Sequence, residues 1–115
     1  MLFRSGTPGG DTIPSTLALL VTRLVDQHLA LDAAVDAPRI HQSFVPDLLR
    51  YEAQRELAKP ILSELAAEGH HLMRSWASQG DASVILLDDP GGPAGYADPR
   101  DGAGLALAAA PSANP

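Results

Sequence analysis

A pair of adjacent glycines near the start of the chain, Gly9-Gly10, constrains what the surrounding residues can form. Three apolar residues, Met1 to Phe3, precede the pair, and an amphipathic pattern begins at Ile13. Glycine has no Cβ, so both residues can adopt φ > 0 and let another group approach the backbone. The first N–H groups of a helix have no intrahelical partner and carry partial positive charge. The segment predicts strand, tight loop and helix, in which the loop either only turns the chain or also holds an anion or oxyanion.

The spacing of these glycines does not match the common phosphate-binding motifs. Gly6 is not followed by the spacing of a P-loop, and the pattern G-x-x-G-G differs from the dinucleotide pattern G-x-G-x-x-G. Asp11 follows the pair, where it can cap the helix and would repel a bound anion. Eight Lys and Arg against fourteen Asp and Glu give a formal net charge of −6. Nucleic acid is therefore not an expected partner, because phosphate binding requires a basic face.

Length and composition favour one globular domain with a modest core. The chain has 115 residues, of which 45 % are hydrophobic. It contains no cysteine, which excludes disulfides and thiolate chemistry within these residues. No apolar run reaches the roughly 20 residues that span a bilayer, so no membrane span is expected. The first residues show no signal-peptide pattern, and the compartment stays open.

The periodicity of apolar residues predicts a mixed α/β (α+β) fold. Apolar steps of three and four mark helices, whereas short apolar runs bounded by Gly and Pro mark strands. The expected strands are Met1 to Phe3, Asp47 to Ala53, Leu72 to Trp76, Ala82 to Leu87 and Gly104 to Ala109, with an extended path at Ala94 to Arg100. The expected helices are Ile13 to about Leu31, Ala33 to Asp36 (capped by Asp32), and Pro60 to Gly69, the last of which buries Ile61, Leu62, Leu65 and Ala66. An ordered but irregular crossing is expected at Pro38 to Pro46. The apolar run from Ala82 to Leu87 predicts a strand buried on both faces.

Two groups of side chains are candidates for chemistry or for structural support. His41 beside Arg39 is either catalytic or, as we favour, a tie to carboxylates or carbonyls, with Asp36, Asp47 and Glu52 as candidate partners. Asp98 and Arg100 form either a functional loop or a turn held by an Asp–Arg pair. No metal site is expected, because the four histidines lack a chelating spacing.

Several segments share their order and spacing with one known family. They are Gly6-Thr-Pro-Gly-Gly10, Ala34-Val-Asp-Ala-Pro-Arg-Ile-His-Gln42, Pro46-Asp47, Glu52, Glu68-Gly-His70, and Ala97-Asp-Pro-Arg100 with Gly102. Together they resemble the C-terminal half of the small subunit of gamma-glutamyltransferases, also called gamma-glutamyltranspeptidases or glutathione hydrolases. The resemblance assigns residues 1–109 to that small-subunit domain and residues 110–115 to a tail.

The resemblance implies a partial N-terminal-nucleophile hydrolase αββα sandwich that needs no cofactor. In this family a precursor cleaves itself into large and small subunits, and the new N-terminal Thr attacks the γ-glutamyl amide of glutathione or a related compound. The acyl group then passes to water or to an acceptor amino acid. The Gly-Gly turn donates backbone N–H groups to the oxyanion, a role that carries over to Gly9 and Gly10, with Gly10 also at the substrate. Family members are often periplasmic or secreted.

The chain departs from the family at the nucleophile. The family's Thr-Thr-His-type segment lies upstream of the glycine turn. In this chain neither Thr nor His follows any of the four threonines, Thr7, Thr12, Thr16 and Thr22. The residues that grip the substrate's α-carboxylate and α-amino group, and the large subunit, also lie outside this sequence. Thr7 before the turn and Asp11 after it resemble a branch with acylase-like relatives. We therefore expect a piece of a gamma-glutamyltransferase-like enzyme that is inactive by itself, or a non-catalytic remnant or interaction module.

Overall fold

The computed structural model describes residues 1–102 and 104–106. These residues form two small sheets with helices packed against them, as expected for a mixed α/β chain. The strands are β1 (Phe3–Gly6), β2 (Ile40–Ser43), β3 (Leu48–Glu52), β4 (Leu72–Ser75), β5 (Ser83–Leu86) and β6 (Ala94–Ala97); the α-helices are α1 (Ile13–Val21), α2 (Leu31–Asp36) and α3 (Lys59–Ala67); a 3-10 turn (Gly10–Thr12) leads into α1, and a π-helical segment (Thr22–Asp26) continues it.

The two sheets differ in their strand directions. The first sheet has the order β1-β5-β6 and is antiparallel throughout. The second has the order β2-β3-β4, in which β2 and β3 are antiparallel and β3 and β4 are parallel. Parallel neighbours require a crossover connection, and α3 supplies it between β3 and β4.

The apolar core lies between the first sheet and the helices α1 and α2. Leu20, Leu24 and Val35 contribute the helical side, while Val84 and Leu86 contribute the β5 side. Their burial follows the helical spacing of three to four and the strand spacing of two. Phe3 of β1 packs against this core, which holds in place the strand that leads into the glycine turn.

The prediction that the strand at Ala82–Leu87 is buried on both faces is wrong. Val84 and Leu86 are buried, whereas Ile85 is 45 % exposed. Among the described residues, helices cover one face of the first sheet, so alternate side chains of β5 point away from the core.

The prediction of an irregular crossing at Pro38–Pro46 is also wrong, because β2 occupies its centre. Ile40 pairs with Tyr51 and Ser43 pairs with Leu48 in an antiparallel register. Pro38 and Pro46 both lie outside the paired residues, so neither removes a hydrogen-bond donor from the ladder.

The helices differ from expectation at their ends and at their buried faces. The first α-helix ends at Val21 and continues only as the π-helical segment to Asp26, short of Leu31. The second helix begins at Leu31 and includes Asp32, which accepts a hydrogen bond from the next N–H rather than preceding the helix.

The third helix contacts the sheet less than its sequence predicts. Ile61 and Ala66 are exposed, and only Leu62 and Leu65 are half-buried. Gly69, which follows the C-cap residue Glu68, has a φ of +97°, which confirms the predicted left-handed stop.

The last predicted strand falls largely outside the described residues. Gly104 to Ala106 have no regular structure, while the rest of that prediction and the tail at 110–115 cannot be compared. In the described part of the chain, no helix has the length and apolar character needed to cross a membrane.

Candidate functional site

The glycine turn adopts backbone conformations that suit glycine. Gly9 has a φ of +139° and Gly10 a φ of +59°. The carbonyl of Gly9 accepts hydrogen bonds from the N–H of Thr12, at 3.2 Å, and from its Oγ1, at 3.0 Å. A Cβ on Gly9 would clash with that Thr12 oxygen, whereas a Cβ on Gly10 would meet no atom within 4 Å. The first position is therefore closed to other residues both by conformation and by space.

The turn presents backbone donors at the start of α1. Both glycines are exposed, and within the described residues their N–H groups donate to no protein acceptor. Such groups at a helix N-terminus favour negative charge. The turn can therefore hold an anion or a developing oxyanion.

A second loop, Gln79 to Asp81, packs against the glycine turn and hydrogen-bonds to Thr7. The N–H of Asp81 donates to Thr7 Oγ1 at 2.9 Å, and Thr16 Oγ1 donates to the Gln79 carbonyl at 3.3 Å. Gly80 has a φ of +81°, and a Cβ there would clash with Thr7 Oγ1. Sequence reasoning missed this loop; its only signal was a glycine within a polar stretch.

Next to this loop lies a buried cluster of two arginines and two carboxylates: Arg39, Glu52, Asp98 and Arg100. Arg39 is fully buried, and its Nη2 lies 2.6 Å from Asp98 Oδ2. Arg100 donates to both Glu52 oxygens, at 2.7 and 2.8 Å, and to Asp98 Oδ1 at 3.0 Å. The charges balance, as burial requires.

The charge cluster is connected to the supporting loop through Gln79. Arg39 Nη1 donates to the Gln79 carbonyl at 2.9 Å, and the Gln79 N–H donates to Glu52 Oε1 at 2.9 Å. The cluster therefore fixes the backbone that in turn supports Thr7 and Gly9.

Burial and hydrogen bonding act in opposite directions on the two carboxylates. Burial would raise the pKa of Glu52, but hydrogen bonds from Arg100 and from the Gln79 N–H outweigh it and lower that pKa below its ordinary value. Burial likewise opposes ionisation of Asp98, whose pKa is lowered by the hydrogen bond from Ala82 N–H and by the positive charge of Arg39. Both groups are therefore carboxylates at neutral pH.

Acidification is expected to destabilise the fold through these two groups. Their folded pKa values lie below unfolded values of about 4, so their stabilisation is complete above that pH and is lost as the pH falls through the folded values. Urea-unfolding midpoints measured from pH 7 to pH 3 should fall, and they should fall less steeply in Glu52→Gln. An equal slope in that variant would contradict the assignment.

In the described part of the chain, His41 makes no hydrogen bond to this cluster. Its Nδ1 is 2.7 Å from Ser15 Oγ, in the first turn of α1, and its Nε2 is 3.0 Å from Ser43 Oγ and 3.6 Å from Asp11 Oδ2. The structure thus brings Arg39, Asp98 and Arg100 together and places His41 apart.

Of the three candidate partners of Arg39 and His41, the structure shows a hydrogen bond with either residue for Glu52 alone. Glu52 accepts from the Arg39 backbone N–H at 3.1 Å. Asp36 instead accepts from the Tyr96 hydroxyl, and Asp47 from the Gln42 amide. Among residues 1–102 and 104–106, no three or more metal-ligating side chains are grouped to hold an ion.

The comparison with protein families decides the relationship of the chain. Residues 1–108 match the family described as gamma-glutamyltranspeptidase. The chain belongs to the gamma-glutamyltranspeptidase family. This confirms the resemblance drawn from the ordered motifs.

Individual relatives support the assignment of this chain to the gamma-glutamyltranspeptidase family. The glutathione hydrolase proenzyme of Pseudomonas aeruginosa is 36% identical over 84 residues, which cover 72% of this chain and 15% of that protein. The Escherichia coli proenzyme is 32% identical over 96 residues, covering 84% of this chain and 16% of that protein. A highly active mutant of gamma-glutamyltranspeptidase from Pseudomonas nitroreducens superposes with a TM-score of 0.86 at 31% identity, covering 95% of this chain and 56% of that chain.

The structural match confirms the expected fold class, an N-terminal-nucleophile hydrolase fold of mixed helices and sheets. The chain spans only 15–16% of the two curated relatives and 56% of the structural neighbour.

Proposed function

We propose that this chain is one piece of a γ-glutamyl-transferring enzyme, and that Gly9 and Gly10 donate their N–H groups to its oxyanion. The observation that carries the proposal is the turn itself. Its N–H groups are exposed at the N-terminus of α1, while Thr12 and the Gln79–Asp81 loop fix its backbone. Relatives that share its family are named glutathione hydrolases, which supports a γ-glutamyl amide as the substrate class.

The proposed role is electrostatic. As a nucleophile attacks the γ-glutamyl carbonyl, its oxygen gains negative charge, and donors already fixed on a backbone turn stabilise that charge without reorganising. The negative charge of Asp11 beside the turn does not prevent this, because Arg50 Nη2 lies 2.6 Å from its Oδ2. We infer that this ion pair neutralises the end of the turn.

The nucleophile is proposed to lie outside these 115 residues. Three of the four threonine hydroxyls are committed to the backbone: Thr7 donates to the Pro8 carbonyl, Thr12 to that of Gly9, and Thr16 to that of Gln79. Hydroxyls that hold the turn together are poorly placed to attack a substrate above it. The remaining small-subunit residues and the large subunit would supply the nucleophilic Thr and the grip on the γ-glutamyl group. Residues 1–109 would then be the C-terminal part of the small-subunit domain and 110–115 its tail.

One observation favours a second candidate, an interaction module with no reaction of its own. The adjacent residues Phe44 and Val45 are 96% and 81% exposed, and apolar side chains that lie together at a surface often mark a contact with a partner. Under this alternative the glycine turn would be a structural remnant.

The purified chain alone is expected to hydrolyse a γ-glutamyl anilide no faster than the uncatalysed background. The reason is the missing nucleophile, since donors without an attacking group do not complete the reaction. Release of the aniline from γ-glutamyl p-nitroanilide, followed by absorbance, measures this.

Co-expression with a segment that supplies a Thr-Thr-His-type N-terminus and a large subunit is expected to restore turnover. The interaction-module alternative predicts no turnover in either sample. Turnover by the pure chain alone, abolished by replacing Gly9, would place the nucleophile within these residues and contradict the proposal.

A further inference from the structure

Both ring nitrogens of the buried His41 contact a serine hydroxyl, in an arrangement that the function proposed above does not use. Nδ1 lies 2.7 Å from Ser15 Oγ, and Nε2 lies 3.0 Å from Ser43 Oγ. Asp11 Oδ2 is 3.6 Å from the same Nε2, and the His41 side chain is 7% exposed. A hydroxyl, an imidazole and a carboxylate in this order are the components of nucleophilic catalysis by serine.

Two segments that are distant in sequence bring these side chains together. Asp11 belongs to the 3-10 turn and Ser15 to the first turn of α1, so both lie at the same end of one helix. His41 and Ser43 are two positions apart on β2 and share one face of that strand. The helix α1 packs against β2, which places the imidazole between the helix end and Ser43.

The position of the ring proton decides which serine can react. A neutral imidazole carries one N–H, so one ring nitrogen donates and the other accepts. The Asp11 carboxylate approaches Nε2 and favours the proton there, with Ser43 Oγ as its acceptor. Arg50 also pairs with Asp11, which weakens this effect without changing the nitrogen that the carboxylate approaches. Nδ1 is then the basic nitrogen, and it accepts the hydroxyl proton of Ser15.

We propose that Ser15 is a nucleophile activated by His41, and that the chain hydrolyses activated esters of small carboxylic acids. Ser15 is half-buried, so a small acyl group reaches it and a large one does not. The partial positive charge at the N-terminus of α1 favours negative charge that develops on its oxygen. Asp11 and Ser43 act through the imidazole and are positioning residues.

The reaction proceeds in two steps through an acyl-serine. Ser15 Oγ bonds to the ester carbonyl carbon while its proton moves to His41 Nδ1, and the C–O bond to the alcohol breaks as the alcohol leaves with that proton. Water then attacks the acyl carbon and gives a proton to Nδ1. The bond to Ser15 Oγ breaks, the proton returns to that oxygen, and the carboxylic acid is released.

This activity is separate from γ-glutamyl transfer, because it requires neither an N-terminal Thr nor a large subunit. An activated ester loses its alcohol far more readily than an anilide loses its amine. The isolated chain is therefore still expected to leave the γ-glutamyl anilide uncleaved.

The test treats the full chain with a fluorophosphonate, from which Ser15 Oγ displaces fluoride to form a stable bond to phosphorus. Peptide mapping by mass spectrometry is expected to find the adduct on Ser15, and hydrolysis of p-nitrophenyl acetate is expected to stop as the adduct forms. An adduct on Ser43 or on another residue instead, or labelling no faster than that of the urea-unfolded chain, overturns the proposal.

Variants separate activation by His41 from the ordinary reactivity of a surface serine. His41→Gln is expected to slow labelling of Ser15 about 100-fold or more, the contribution of a general base, and Asp11→Asn about tenfold. The matched control is Ser83→Ala, which removes an exposed serine of β5 and should leave the rate unchanged. Labelling rates that are equal in all three variants and the unaltered chain would show that the imidazole does not activate Ser15.

NMR of the imidazole tests the proton position even if His41→Gln fails to fold. The ¹⁵N shift of each ring nitrogen reports whether it carries a proton. We expect the proton on Nε2 in the unaltered chain and a larger share on Nδ1 in Asp11→Asn. A proton on Nδ1 in the unaltered chain overturns the proposal, since that nitrogen could not accept from Ser15.

The two proposals fail independently of each other. Labelling of Ser15 without turnover of the γ-glutamyl anilide by the co-expressed enzyme would keep the esterase site and remove the γ-glutamyl transfer function. Restored turnover without labelling of Ser15 would do the reverse.

Discussion

Replacing Asp98 with alanine is expected to lower the free energy of unfolding by about 3–5 kcal/mol, the cost of breaking a buried ion pair by removing one partner. Arg39 is fully buried with its Nη2 2.6 Å from Asp98 Oδ2, so the substitution leaves its charge without that partner. The same oxygen accepts the Ala82 N–H at 2.9 Å, which would also lose its acceptor. Urea unfolding followed by circular dichroism measures the loss.

The control for Asp98→Ala is Glu56→Ala, which removes a carboxylate paired with Arg74 at the surface. An exposed pair of this kind contributes at most about 1 kcal/mol. If the two variants lose similar stability, the buried cluster does not hold the fold in the way that its geometry indicates.

The second large effect is expected from Gly9→Ala in the assembled enzyme, which should lower kcat about 100-fold or more, the magnitude of losing one oxyanion donor. A Cβ at a φ of +139° is strained and would clash with Thr12 Oγ1, so the turn must move and misdirect its N–H groups. The value of KM should change much less, since the donors act on charge that develops during the reaction. Steady-state kinetics with the γ-glutamyl anilide separates the two parameters.

A second glycine with a positive φ, far from the turn in sequence, provides the control for the backbone strain that alanine introduces. Gly69 has a φ of +97°, and a Cβ there would meet no atom within 4 Å. Gly69→Ala should therefore reduce stability while leaving kcat nearly unchanged. A loss of kcat in Gly69→Ala equal to that in Gly9→Ala would show that destabilisation, not donor geometry, explains both.

Local features of the fold could be predicted from the sequence because they depend on neighbouring residues. The glycine turn before a helix and the left-handed stop at Gly69 both follow from glycine's lack of a Cβ. The strand β2 was not predicted because prolines flank it and proline disfavours regular strands. Both prolines lie outside the ladder that β2 forms with β3, so they do not disrupt it. The exposure of Ile85 could not be read from an apolar run, because it depends on which faces of the sheet are covered.

The support of the candidate site could be predicted only in part, namely the tie of Arg39 to Glu52 and the Asp98–Arg100 pair, because the rest joins residues that are far apart in the sequence. Arg39, Glu52, Gln79 and Asp98 come from four separate segments, and the longest-range contact among them, between Arg39 and Asp98, spans 59 positions. Arginine is almost never fully buried unless it is paired, so nothing in the local sequence pattern placed Arg39 in the interior. The ordered motifs nevertheless identified the family, because their spacing reflects the whole fold.

The most direct test of the central claim is the composition of the γ-glutamyl-anilide-cleaving fraction purified from the native source. Intact mass and N-terminal sequencing would identify every component of that fraction. We expect peptides of this chain to co-purify with the activity, in an assembly where an N-terminal Thr is supplied from outside these 115 residues. Recovery of the chain alone, without activity and without any component that begins with Thr, would contradict the claim that Gly9 and Gly10 serve a working enzyme.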